Sequence, residues 1–176
     1  LFDIANPTRD LVITEDPVPL GWVLTAIACT DGAGAPVGTV DIPNRSVAFT
    51  AVPGEEVSCR FTNEKLPVVT AIRKVSIGGT GTFDFTDGTN GLPANLTLDT
   101  GAANPASAGP FMLGAFNTPT SITEVIPTNY TLTSAVCVDG SSSPVLTTLV
   151  GGVLTIDPSE VVGGVEFICT FTNTRK

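Results

Sequence analysis

The chain contains no histidine, a single methionine, tryptophan and tyrosine, and only 8 Lys+Arg against 17 Asp+Glu. Without histidine the commonest general base is missing, and with it the Ser-His and Cys-His nucleophile pairs and most zinc sites. The sequence therefore predicts no enzyme, no cofactor and no metal site. The net charge of -9 opposes phosphate backbones and anionic membrane surfaces, so nucleic acid is excluded as a partner. No apolar run approaches the ~20 residues needed to span a bilayer, and no N-terminal stretch joins basic residues to an apolar segment, so membrane insertion is not expected. There is also no CxxC pair. The four cysteines fit two disulfides better than a metal or redox motif, which implies an oxidising, extracytoplasmic compartment. The first residue is Leu1, consistent with a processed mature end or a window from something longer.

Glycine and proline are abundant, at 18 and 14 of 176 residues, and spread along the whole chain. Each disfavours a helix interior, by about 1 kcal/mol for Gly and about 3 for Pro relative to Ala, so an all-β chain with many turns is expected. The chain also repeats itself. VITEDPVPLGWVLTAIACTDG, residues 12–32, matches SITEVIPTNYTLTSAVCVDG, residues 121–140. Glu15 aligns with Glu124 (offset 109), Trp22 with Tyr130 and Cys29 with Cys137 (both 108), and Cys59 with Cys169 and Asn63 with Asn173 (both 110). Such a steady offset predicts two units, 1–65 and 66–176. The second has a front half, residues 68–116, with no counterpart in the first. Unit one is thus expected to be the C-terminal part of a repeat whose first strands come from a longer tandem array or from a neighbouring chain by strand addition.

Alternation assigns faces. Val165, Phe167, Cys169, Phe171 and Asn173 share one face, as do Val57, Cys59, Phe61 and Asn63, so an apolar face carries each asparagine. Ile122, Glu124 and Ile126 are in phase, as are Leu11, Ile13 and Glu15, which directs both glutamates into apolar surroundings, where a carboxylate needs a partner or a proton. Further strands are expected at 68–77, 82–86, 111–116, 130–138 and 153–156, separated by GGTG, DGTNG, DGSSSP and GG turns. Residues 87–110 read as a long loop. About seven strands per ~110 residues suits an antiparallel sandwich.

The strand ending in Lys74, the GGTGTFDF turn and strand, the TExxPxxY and TExxxxxGW elements, the cysteine that follows each, and the closing CxFTN resemble the SpaA-like, prealbumin-like fold repeats of bacterial surface proteins, relatives of the collagen-adhesin B-type domain. The resemblance covers all of unit two and all of unit one. It implies tandem Ig-like β-sandwich repeats, secreted and displayed at the cell surface in stalks, pili and adhesins. Several members of the wider family form a Lys-to-Asn isopeptide bond assisted by a buried acid. The matching residues here are Lys74, Asn173 and Glu124, with partial equivalents Glu15 and Asn63 and no upstream lysine in unit one. The alternative is that Lys74 is a surface strand residue, Asn173 ends the last strand by bonding backbone, and Glu124 accepts hydrogen bonds from a loop.

Cys29 with Cys59 and Cys137 with Cys169 recur at matched repeat positions, with separations of 30 and 32, and are expected to form two disulfides, one within each unit; free buried thiols are the alternative. Asp84, Asp87 and Asn90 form an oxygen-rich run that could serve calcium but fits an ordinary turn better. Glycosylation sequons stand at Asn44, Asn95 and Asn129. Trp22 and Tyr130 are expected to pack in the core or at an edge. The leading expectation is a structural repeat of an extracellular fibre, stalk or pilus-like filament, self-associating into a homopolymer or continuing in a longer tandem array. The alternative is an adhesive module that recognises a host or matrix ligand.

Overall fold

The computed structural model describes residues 9–176, in which the regular elements are β-strands and one short 3-10 turn, Pro158–Glu160. Among the described residues no helix is long and apolar enough to cross a membrane. The chain divides into two compact units, Leu1–Lys65 and Leu66–Lys176.

Unit one contains β1 (Arg9–Thr14), β2 (Trp22–Asp31), β3 (Thr39–Asp41), β4 (Ser46–Ala51) and β5 (Val57–Lys65). They form a three-stranded sheet in the order β1-β4-β3 and a two-stranded sheet, β2-β5. Alternation along β1 and β4 turns Ile13 and Val47 toward Leu24, Ile27 and Cys29 of β2, which make a small core. Beyond Asp31 the chain reverses in an Asx turn. The Asp31 carboxylate accepts from the backbone N–H of Ala33 and Ala35 at 2.9 and 2.8 Å.

Unit two comprises β6 (Val68–Ile77), β7 (Thr82–Thr86), β8 (Asn95–Asp99), β9 (Ala106–Ala108), β10 (Phe111–Met112), β11 (Thr120–Val125), β12 (Tyr130–Asp139), β13 (Thr147–Val150), β14 (Val153–Ile156) and β15 (Glu166–Arg175). One sheet runs β10-β6-β15-β12 with β9 also on β6; the other runs β13-β14-β11-β7-β8. Phe83, Phe85, Leu154 and Ile156 of the second sheet bury against Val69, Ile72, Phe167 and Phe171 of the first. Full burial of side chains of this size contributes roughly 1.5–3 kcal/mol apiece. The β15 pattern is the clearest case, with Phe167, Cys169, Phe171 and Asn173 all inward and buried. All pairings are antiparallel except one, in which β15 lies parallel to β6 with Phe171 opposite Lys74 and Asn173 opposite Ser76. A parallel pair cannot be closed by a hairpin, and here most of the unit lies between its first and last strands.

Two expectations, one loop and one strand, are corrected. Residues 87–110 are not one loop, because they contain β8 and β9. Leu96 and Leu98 alternate inward and β8 pairs along the whole of β7, a short strand hidden by flanking Gly, Ala and Pro. The expected strand at 111–116 ends after Met112. The Asn90 side chain accepts the N–H groups of Gly114 and Ala115 at 3.1 and 2.9 Å and draws the chain out of the sheet. Asp87, Asn90 and Gly91 take positive φ values of 54°, 51° and 92°, which suits Asx residues and glycine and makes the DGTNG segment a turn. β13 was not expected from the sequence.

Candidate functional site: a buried lysine, glutamate and asparagine

The site forms where the first, sixth and last of the ten strands of unit two meet across the sandwich. β6 carries Lys74, its parallel neighbour β15 carries Asn173, and β11 in the opposite sheet carries Glu124. All three side chains are shut off from solvent, with exposures of 0% for Lys74, 2% for Glu124 and 0% for Asn173. The Lys74 Nζ lies 3.1 Å from Glu124 Oε1 and 3.3 Å from the Phe171 carbonyl oxygen. Asn173 Nδ2 donates to the same Glu124 Oε1 at 2.7 Å. A single carboxylate oxygen thus joins the amine and the carboxamide.

The walls are aromatic. Lys74 Nζ sits 4.5 Å from the centroid of the Phe83 ring; Phe83 meets Tyr130 edge-on, and Phe85 meets Phe171 the same way, both at 5.0 Å between centroids. Such surroundings penalise charge. Burial is the largest influence on both ionisable groups, pushing Lys74 below its usual value and Glu124 above its own, while each opposes the other's shift through its charge. Both shifts run toward a neutral amine beside a protonated acid. Glu124 Oε2 and Asn173 Oδ1 are buried without a hydrogen-bond partner. An orphaned buried acceptor carries a desolvation cost of about 1–3 kcal/mol, an expense that a purely structural polar cluster would be expected to relieve.

Unit one holds a partial copy. Asn63 Nδ2 donates to Glu15 Oε1 at 2.7 Å, and Glu15 Oε2 and Asn63 Oδ1 are again buried and unpartnered. No lysine accompanies them among the described residues. Both residues are only half-buried.

The cysteines pair as Cys29–Cys59 and Cys137–Cys169, each bridging directly opposed residues of neighbouring strands, β2–β5 and β12–β15, with Cα atoms 4.0 Å apart. No group of three or more metal-ligating residues occurs among the described residues. Asp84 accepts from Thr97 Oγ1 at 2.7 Å, and Asn90 is occupied in holding its loop, donating to Ala115 O and Thr120 Oγ1. Asn44, Asn95 and Asn129 are exposed. Tyr130 is buried, donating its hydroxyl to Thr80 O at 3.0 Å, whereas Trp22 at the matched position is 43% exposed. One polar anchor beside the site has no signal in the sequence pattern. Thr100 Oγ1 accepts from Ser76 Oγ and from the Gly81 N–H at 2.8 and 2.9 Å, while Asn104 donates to Ser76 O, fastening the far end of β6.

A family model described as a prealbumin-like fold domain, of the SpaA type, matches residues 1–65 and 70–175. The chain belongs to this SpaA-type prealbumin-like family. No curated protein and no solved structure matches it. Domains of this type are structural or adhesive modules of surface proteins, pilins and adhesins among them, and not enzymes.

Proposed function

We propose that the chain is a structural segment of an extracellular surface fibre, stalk or pilus-like filament, built of tandem SpaA-type repeats and hardened by covalent cross-links. One observation carries this reading: Lys74, Glu124 and Asn173 are fully buried together, with the amine and the carboxamide on one carboxylate oxygen. Burial favours the neutral amine, whose lone pair attacks Cγ of Asn173. A half-turn of the carboxamide exchanges Nδ2 and Oδ1, so that protonated Glu124 donates to the oxygen on which negative charge develops. The proton lost by Nζ passes through Glu124 to Nδ2. The Cγ–Nδ2 bond then breaks, ammonia leaves, and an Nζ–Cγ amide remains, with Glu124 returned to its starting state. No oxidant or cofactor enters the balance.

The position of the bond matches a mechanical role. β6 opens unit two and β15 closes it, so tension entering at Val68 and leaving at Arg175 crosses between the two strands. An amide between residues 74 and 173 transmits that tension directly and shields the chain between them. Stretching single molecules of the full chain tests this. Unit two is expected to resist extension, while Lys74→Ala releases the chain between residues 74 and 137, and reduction then adds the 32-residue loop closed by the second disulfide. Equal extension of the parent and of Lys74→Ala would overturn the mechanical role.

A further inference from the structure

A sheet edge presents a row of unpaired backbone N–H and C=O groups, and folded proteins blunt such edges with charge, proline, a bulge, a very short strand or a covering segment. Most outer strands of unit two carry one of these devices. β9 and β10 are three and two residues long, with Pro105 before the first and Pro110 before the second. β12 is bulged between Leu132 and Ser134, and its open side is closed at one end, where the Val145 N–H donates to Cys137 O. β8 ends in Asp99 and has Asp84 bonded to its Thr97. β13 is the exception. It pairs with β14 in unbroken register and has no strand on its other side among the described residues. No Asp, Glu, Lys or Arg occurs between Asp139 and Asp157, and the proline of that stretch, Pro144, precedes the strand.

One bond shows which backbone groups of β13 face outward. The Asp157 N–H donates to Leu146 O at 3.0 Å, which extends the β13–β14 register by one pair. Bonded and non-bonded pairs alternate in an antiparallel ladder, so Leu146, Thr148 and Val150 direct their backbone groups to β14, while those of Thr147 and Leu149 point out of the sheet. Side chains alternate with the same period. Leu146, Thr148 and Val150 share the outer face, where Leu146 is 58% and Val150 74% exposed.

This pattern is complementary to itself. When β13 of a second copy lies antiparallel about Thr148, Thr147 of each copy stands opposite Leu149 of the other, and the two exchange both N–H···O=C bonds. The intervening pairs are the close, non-bonded kind. Thr148 meets Thr148 and Leu146 meets Val150, so the two most exposed apolar side chains of the edge cover each other. Charge selects the same occupant. With a net charge of -9 two copies repel over most of their surfaces, whereas this edge admits a second copy without setting like charges face to face. We infer that β13 is a homophilic docking edge, at which two copies of the chain join their β13-β14-β11-β7-β8 sheets into one continuous sheet about a two-fold axis. A contact of two short strands is weak, and it does not depend on the Lys74–Asn173 bond. Its consequence for assembly does rest on the fibre reading: the two copies run antiparallel, as fibres reaching from two facing surfaces do.

The test is sedimentation of the full chain from micromolar to millimolar concentration, joined to amide hydrogen exchange over the same range. A monomer–dimer equilibrium is expected, in which the amides of Thr147 and Leu149 exchange several-fold more slowly as the dimer fills. Thr148→Lys and Thr148→Glu each set like charges opposite one another at the two-fold axis, so each alone is expected to stay monomeric and an equimolar mixture of the two to dimerise again. The exchange measurement on the unaltered chain holds whether or not the variants fold. An unaltered chain that stays monomeric throughout, a dimer that Thr148→Lys leaves intact, or two folded variants that fail to pair on mixing overturns the inference. Protection of Thr147 and Leu149 that is independent of concentration overturns it too, and assigns the edge to a segment of the same chain. None of these outcomes bears on the cross-link of unit two, which the intact mass decides separately.

Discussion

At the scale of single residues, the site combines two groups that burial drives toward neutrality. Glu124→Gln keeps the shape but removes the proton relay, and is expected to leave Asn173 unreacted, retaining its ammonia by mass. Lys74→Met tests the electrostatics. It removes the cation that opposes the rise of the Glu124 carboxyl, so the folded-state value lies further above its ordinary value near 4.5. A group raised on folding contributes stability that is complete below its unfolded value and lost as pH rises through its folded value. The melting temperature of Lys74→Met is therefore expected to fall, relative to the Lys74→Met/Glu124→Gln double variant, as pH climbs above about 4.5. Parallel curves would mean that Glu124 carries no such shift. Much of this was legible from alternation alone, which set Glu124 in phase with Ile122 and Asn173 in phase with Phe171. Alternation misled at Ile126, which is 38% exposed, because the strand ends at Val125 and its period ends with it.

At the scale of elements, the parallel pairing of β6 with β15 brings residues 74 and 173 to adjacent strands from opposite ends of the unit. No short-range pattern encodes that pairing. The sequence reading joined Lys74 to Asn173 only through the family resemblance. β8 was missed because five alternating residues sit within a Gly-, Ala- and Pro-rich stretch, and residues 113–116 were overread because the Asn90 side chain, 23 or more positions away, bends the chain there. The disulfides close loops of 30 and 32 residues. By the loop-entropy relation each is worth at most roughly 3.5–4 kcal/mol. Among the described residues unit one has fewer fully buried side chains and no strand on the far edge of β5, so Cys29→Ala/Cys59→Ala is expected to unfold it at lower denaturant than Cys137→Ala/Cys169→Ala unfolds unit two. Amide hydrogen exchange should show the matching asymmetry, with β5 exchanging faster than β15. Equal protection of the two strands would mean that the β5 edge is covered.

At the scale of the whole molecule, the repeat was the strongest signal in the sequence, because matched cysteines, glutamates and asparagines at offsets of 108 to 110 bind distant segments into one pattern. The division of the chain between Lys65 and Leu66 falls where that pattern turns over. What composition could not convey is whether the three polar side chains face one another, since that depends on two sheets stacking with β11 opposite the β6–β15 pair. The central claim is that this stacking ends in a covalent bond. It is tested most directly by the accurate intact mass of the purified chain before and after reduction, followed by mapping of a digest. The account predicts a mass lower by one ammonia, in addition to the hydrogens lost to two disulfides, and a branched peptide joining Lys74 to Asn173. A chain that retains its full complement of ammonia would contradict it, leaving Lys74, Glu124 and Asn173 as a buried polar cluster and the disulfides as the only covalent braces.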